Sequence, residues 1–190
     1  MKSTLILGLV LLYGLISFTA KKDNNEKTLI LIRHAKSAHD NPALADFDRF
    51  LDPKGEVDAD KTGKFLNGKN LKIDLLVSSP AVRTKQTLEH LCTGLDCGFF
   101  EVKYDSSIYA CSPGTLLNMI RTIPADAKTV VVLAHNPATT AVANLLQNDQ
   151  QWTELPTCGV VAIKFNDVEW AEVGENEKGK LWFFSDPDKL

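Results

Sequence analysis

Three short stretches hold the residues whose types and spacing could do chemistry. TLILIRHAKS (28–37) ends an apolar run on Arg33 and His34, SSPAVRTKQT (78–87) supplies Arg83, and AHNP (134–137) supplies His135. A guanidinium is a planar fork of donors that matches the oxygens of a phosphate, and a neutral imidazole is a nucleophile near neutral pH. Two arginines and two histidines on one rim therefore describe a phosphoryl-transfer site. His34 and His135 offer a nucleophile and a neighbour that can hydrogen-bond the transferring group, beside the two guanidinium forks of Arg33 and Arg83. Each residue alone signals little, since a histidine at a strand end is commonly structural and a single arginine commonly pairs at the surface. The combination carries the assignment. A zinc site from His34, His39 and His135 has no HExxH or Cys-pair spacing behind it, so no metal is assigned. His39 and His90 read as loop and helix-surface residues.

For these residues to meet, strands must end side by side. LILI (29–32) is a continuous apolar run, as in a central strand covered on both faces. IDLLVSS (73–79), FFEVKY (99–104) and TVVVLAH (129–135) read as further strands. Helices are expected from Pro53 to Gly68 with apolar positions Val57, Ala59, Phe65 and Leu66, and over Pro80–Leu91, Pro113–Ile120 and Pro137–Leu146. This alternation predicts an α/β three-layer sandwich: a mainly parallel central sheet with helices on both faces. After Leu155 the runs GVVAIKF, WAEV and KLWFF predict antiparallel edge strands near the C-terminus. Residues gathered at the carboxyl ends of such strands form the usual site of an open α/β sheet.

The 190 residues, 44% hydrophobic and 24% charged, suit one ordinary globular domain, and a net charge of −3 gives no basic surface for nucleic acid. The N-terminus departs from that average. Lys2 precedes an uncharged stretch, Ser3–Ala20, followed by Lys21, Lys22 and Asp23. Residues 1–20 read as a secretory signal peptide or as an uncleaved N-terminal membrane anchor, and either makes the domain exported, periplasmic or secreted. A membrane is a partner only if that segment stays attached. Residues 21–27 read as a polar linker and 28–190 as the domain. Cys92, Cys97, Cys111 and Cys158 allow three pairings, with a local Cys92–Cys97 disulfide and buried free thiols both open.

The ordered set of Arg33-His34-Ala35, SSPAVRTKQT and AHNP resembles the histidine phosphatase superfamily. DNPALADFDRFLDPKG (40–55) and LPTCGVVAIKF (155–165) resemble its small branch, similar to the phosphohistidine phosphatases. The resemblance runs from about residue 28 to the C-terminus. It implies a phosphoglycerate mutase-like fold and hydrolysis of a phosphoramidate or phosphomonoester, in a phosphorylated small molecule or phosphoprotein. The route it implies is a phosphohistidine on His34 without a cofactor. Arg33, Arg83 and His135 would bind the phosphoryl group, with Arg49 reaching it from the long loop or pairing with Asp46 or Asp48. Ala35 and Ala134 stand where the family usually has glycine, and Phe50 where the branch usually has proline.

One part of the pattern is missing. A phosphate ester with a poor leaving group needs a proton donor, and larger relatives supply an acid after the third strand. Here that region reads YDSSIYACSPG (104–114), where Asp105 is the one carboxylate, a candidate proton donor that reads better as a turn residue before Ser106 and Ser107. A phosphoramidate, whose nitrogen takes its own proton, would not need one; export argues instead for a broad-specificity small-molecule phosphomonoesterase. A mutase with the same intermediate and a non-catalytic phosphate-binding protein on this fold are the remaining readings.

Overall fold

The computed structural model describes residues 25–39, 42–95, 97–99 and 101–190, so the signal or anchor reading of residues 1–20 lies outside the described residues. Six strands form one sheet: β1 (Glu26–Arg33), β2 (Leu75–Ser78), β3 (Glu101–Tyr104), β4 (Thr129–Ala134), β5 (Val160–Asn166) and β6 (Lys180–Ser185). Four helices join them: α1 (Pro53–Asn67), α2 (Val82–Gly94), α3 (Pro113–Arg121) and α4 (Ala138–Leu145). The strand order is β3-β2-β4-β1-β5-β6. β3, β2, β4 and β1 run parallel, β5 pairs antiparallel with β1, and β6 pairs antiparallel with β5. The expected three-layer sandwich is the fold found.

The two-residue period of β1 divides its apolar run between two cores. Leu29 and Leu31 enter the core with Leu116 and Ile120 of α3 and Val142 of α4. Ile30 and Ile32 enter the opposite core with Leu66 of α1 and with Leu88 and Leu91 of α2. Each such side chain, fully buried, contributes about 1.5–3 kcal/mol relative to exposure, which anchors β1 between the two layers of helices. α1 begins where Asp52 accepts a hydrogen bond from the Gly55 amide at 2.7 Å, with Pro53 fixing the first turn. It packs backbone to backbone on α2: a Cβ added to Gly63 would lie 2.4 Å from the Leu91 carbonyl oxygen.

Four sequence expectations need correction. β1 starts at Glu26, two residues inside the stretch read as linker, because Lys27 is fully buried with its ammonium on Glu169 (2.7 Å) and the Val168 carbonyl (3.0 Å). Val57 is exposed, while polar Asp58 and Thr62 lie on the buried face of α1, Asp58 paired with Lys54. WAEV forms a 3-10 turn, Trp170–Glu172, closed by a capping box between Glu169 and Glu172, and Trp170 donates from its indole to the Ala127 carbonyl at 2.7 Å. Of the expected third strand FFEVKY, Glu101–Tyr104 form β3, while Phe99 belongs to a 3-10 turn, Cys97–Phe99.

Cys92 and Cys97 form the local disulfide, leaving Cys111 and Cys158 free. The segment between β1 and α1 is closed at its neck by a bridge between Ser37 and Leu51 and by the Ala38 amide on the Phe50 carbonyl at 2.9 Å. No helix among the described residues is long and apolar enough to cross a membrane.

Candidate active site

His34 is the first residue beyond β1, and its backbone is held from three directions. Its amide donates to the Ala134 carbonyl (3.0 Å), its carbonyl accepts from the Cys158 amide (3.1 Å), and the next amide, of Ala35, donates to Thr87 Oγ1 of α2 at 2.9 Å. The side chain is fixed as firmly. His34 Nδ1 lies 2.8 Å from the Ala35 carbonyl oxygen, and Arg83 Nε lies 3.3 Å from His34 Nε2. A carbonyl can only accept and a guanidinium can only donate, so Nδ1 carries the proton and Nε2 presents its lone pair. Burial lowers the His34 pKa to about 3, with His135, Arg83 and Arg33 adding to it against the Ala35 hydrogen bond. The ring is neutral, and its free nitrogen faces a cation.

The other three residues arrive from separate elements. Arg33 ends β1, with Nη1 on the Leu155 carbonyl (2.6 Å) and on Glu154 (2.8 Å). Arg83 sits in the first turn of α2 and is buried. His135 follows β4, its ring centroid 5.1 Å from that of His34 and its Nε2 2.8 Å from Ser79 Oγ. Burial lowers its pKa to about 4, with Arg83 adding to it. Arg33 Nε and His135 Nδ1 are buried and have no hydrogen-bond partner in the protein. A cleft of about 510 Å³ opens beside Arg33, lined by Pro137 and Thr140 on one side and by Thr153 and Glu154 on the other.

A second layer of groups closes one side of the rim. Asp46, in a 3-10 turn at Asp46–Asp48, takes Arg83 Nη2 on Oδ2 (2.9 Å) and Arg83 Nη1 on its own carbonyl (2.5 Å). Tyr109 donates its hydroxyl to the same Oδ2 at 2.8 Å, and its ring meets His135 edge-on, with centroids 5.5 Å apart. Arg49 reaches Asp46 Oδ1 at 3.3 Å and donates to Ser37 Oγ at 2.7 Å. Burial raises the Asp46 pKa, but Tyr109, Arg83 and Arg49 outweigh it and hold the carboxyl below its usual range.

Comparison with known proteins adds three findings. Residues 29–117 match the model of the histidine phosphatase superfamily (branch 1). An uncharacterised protein of Mycobacterium tuberculosis is 31% identical over 75% of this chain and 91% of its own length, and an uncharacterised chloroplastic protein of Arabidopsis thaliana is 31% identical over 77% and 70%. The chain belongs to the histidine phosphatase superfamily. Among solved structures, SixA of Nakamurella multipartitia, named as a candidate phosphohistidine phosphatase, is 26% identical with a TM-score of 0.72, covering 85% of this chain and 96% of that one. The tungstate complex of the protein histidine phosphatase SixA, at 19% identity, shares the fold, with a TM-score of 0.70 over 86% and 99%. The small branch expected from the sequence, similar to the phosphohistidine phosphatases, is the one these SixA structures represent.

In this histidine phosphatase two of the three departures from the family pattern are absorbed by packing. The Ala35 methyl lies with Leu51, Ala59 and Cys158 in a small cluster, Ala134 lies in the core on the α3–α4 face, and Phe50 is half exposed. Asp105 is not brought to the four residues: its side chain accepts from the Ser107 amide at 2.8 Å and caps a 3-10 turn, Ser106–Ile108. His39 contacts Arg49, His90 pairs with Asp60, and among the described residues no group of three or more His, Cys, Asp or Glu could hold a metal ion. Sequence reasoning missed Asp46 as a partner of Arg83, together with Tyr109 and Ser79. Only Ser79 carried a signal, lying in the same SSP stretch that introduces Arg83.

Proposed function

We propose that this histidine phosphatase hydrolyses a phosphoramidate of the phosphohistidine type, or a phosphoryl group on a similarly activated leaving group, through a covalent phosphohistidine on His34. The observation that carries the reading is the fixed tautomer of His34, whose Nε2 lone pair faces Arg83 Nε at 3.3 Å. In the first step Nε2 attacks phosphorus and the bond to the leaving nitrogen breaks; that nitrogen keeps the electron pair, and the leaving imidazole departs neutral because its other ring nitrogen already carries a proton. In the second step water attacks phosphorus, the P–Nε2 bond breaks, and inorganic phosphate leaves with His34 restored. Arg33, Arg83 and His135 hold the phosphoryl oxygens; the unpartnered Arg33 Nε and His135 Nδ1 support this, because acceptor oxygens would satisfy both. No metal or organic cofactor enters the scheme.

The carboxylates support the substrate class. Asp105 is tied to its own turn, and Asp46 is held ionised, so neither is poised to donate a proton to a poor leaving group. A nitrogen leaving group brings its own proton. The second reading, an exported phosphomonoesterase for small molecules, uses the same residues and rests on the apolar segment Ser3–Ala20. Phosphate release by the purified protein tests the mechanism: His34→Ala is expected to lose at least about a hundredfold in rate. Near-wild-type turnover by that variant would remove the covalent scheme. Initial rates on a phosphohistidine peptide against alkyl phosphates separate the two substrate readings, and a strong preference for alkyl esters would leave only the second.

A further inference from the structure

We propose that Asp46 is a positioning residue that sets the guanidinium of Arg83 against His34, an inference that rests on the phosphatase reading of this site. A guanidinium has two usable edges. In Arg83 the Nη1/Nη2 edge is taken by Asp46, at 2.5 Å through its carbonyl and 2.9 Å through Oδ2, which leaves Nε directed at His34 Nε2. Asp46 thus fixes the rotation of the guanidinium plane, and that rotation decides which donors meet a phosphoryl group on its way to Nε2.

The Asp46–Arg83 pair differs from an ordinary surface ion pair, worth little because both side chains must be immobilised for it. Asp46 is 58% exposed, yet Arg83 is only 6% exposed, and the carboxylate is itself held on both oxygens, Oδ2 by Tyr109 and Oδ1 by Arg49. The Tyr109 ring closes the arrangement. It packs on Phe47, next in sequence to Asp46, with centroids 5.0 Å apart, and lies under Arg83 Cζ at 5.7 Å. Turn, ring and guanidinium form one unit with a charge-assisted bond to the arginine. Asp46 touches neither His34 nor the reacting atoms in this arrangement, so its influence passes through Arg83.

Dependence on Arg83 is what a mutant cycle measures. In the full-length protein, Asp46→Ala, Arg83→Lys and the double variant are compared on a phosphohistidine peptide and on an aryl phosphate. Melting temperatures and inhibition by inorganic phosphate are measured alongside. Asp46→Ala is expected to lose about tenfold to a hundredfold, mainly in kcat, with Asp46→Asn intermediate because an amide oxygen still accepts from Arg83. In the Arg83→Lys background, Asp46→Ala is expected to cost less than about twofold more. Full additivity, an unchanged kcat in Asp46→Ala, or tighter inhibition by phosphate in that variant would overturn the inference, the last because it would make Asp46 a competitor for the phosphate seat. Failure of the underlying phosphatase reading looks different: His34→Ala and Arg83→Lys would both turn over like wild type.

Discussion

In the proposed mechanism His34 acts as a nucleophile over a wide pH range because the fold strips it of solvent while leaving one nitrogen unprotonated. Both site histidines titrate far below a free imidazole, His34 at about 3 and His135 at about 4, burial being the main cause. For turnover, protonation of the free enzyme should not cut kcat/KM until the pH falls below about 5, once the ionisation of the substrate phosphate is corrected for. A pH–rate profile with an enzyme limb near 6.5 would contradict this. For stability the sign runs the same way. The unfolded chain binds protons on both rings below about pH 6.5 while the folded one does not, so stability is fully present above that pH and falls as the pH drops toward about 4 and 3. Melting temperatures between pH 7 and 4 check it, and the fall should shrink in His135→Gln. Arg33, His34, Arg83 and His135 were legible in the sequence because each sits where an apolar run ends. Asp46 was not, because DFDR reads as local surface charge until the fold brings Arg83, 37 residues away, against it.

At the scale of elements, the placement of His34 depends on how closely α1 approaches the strand exit. A Cβ on Gly55 would lie 2.1 Å from the Lys36 carbonyl oxygen, and that carbonyl also accepts from the Asp52 amide at 3.0 Å. Gly55→Ala therefore has to push the first turn of α1 away from the chain two residues past His34. It should cost about 1–3 kcal/mol in denaturant unfolding and lower turnover together with stability. Gly114→Ala in α3, whose added Cβ would come no closer than 3.8 Å to Ser112 Oγ, is the matched control and should change neither appreciably. The strands and helices that bracket the site were legible because the strands are continuous apolar runs and the helices begin at or just after Pro53, Pro80, Pro113 and Pro137. WAEV misled because Trp170 and Val173 are apolar residues among β-prone runs, yet three residues apart they would face opposite ways in a strand, and both are buried by a turn that sets the indole edge-on to Phe165. The burial of Lys27 was equally hidden, since its counter-ion Glu169 is 142 residues away.

For the whole molecule, the cysteines give a direct check on the packing. With Cys92–Cys97 joined, two thiols remain, and burial pushes Cys158 up to about 12 and Cys111 up as well. A thiol reagent at pH 8 should label the native protein slowly at no more than one site, Cys111; unfolding should expose a second thiol and reduction the remaining pair. Rapid labelling of Cys158 in the native state would mean that the cluster under Ala35 opens. The sequence left free thiols and a local bridge as alternatives, and the fold uses both, because the short turn after α2 brings one pair together while the other two pack in separate clusters.

The closed neck between Ser37 and Leu51 has a consequence for engineering. The chain between them carries Asp46 and Arg49 to the rim, but its two ends are joined by the bridge and by the Ala38–Phe50 hydrogen bond, so the nucleophile's strand and α1 do not depend on its length. Loop-closure entropy grows slowly, by about 0.6 kcal/mol for each doubling. The segment is thus a replaceable cassette: foreign loops of varied length could be grafted there to retarget the enzyme, provided each returns a carboxylate to Arg83.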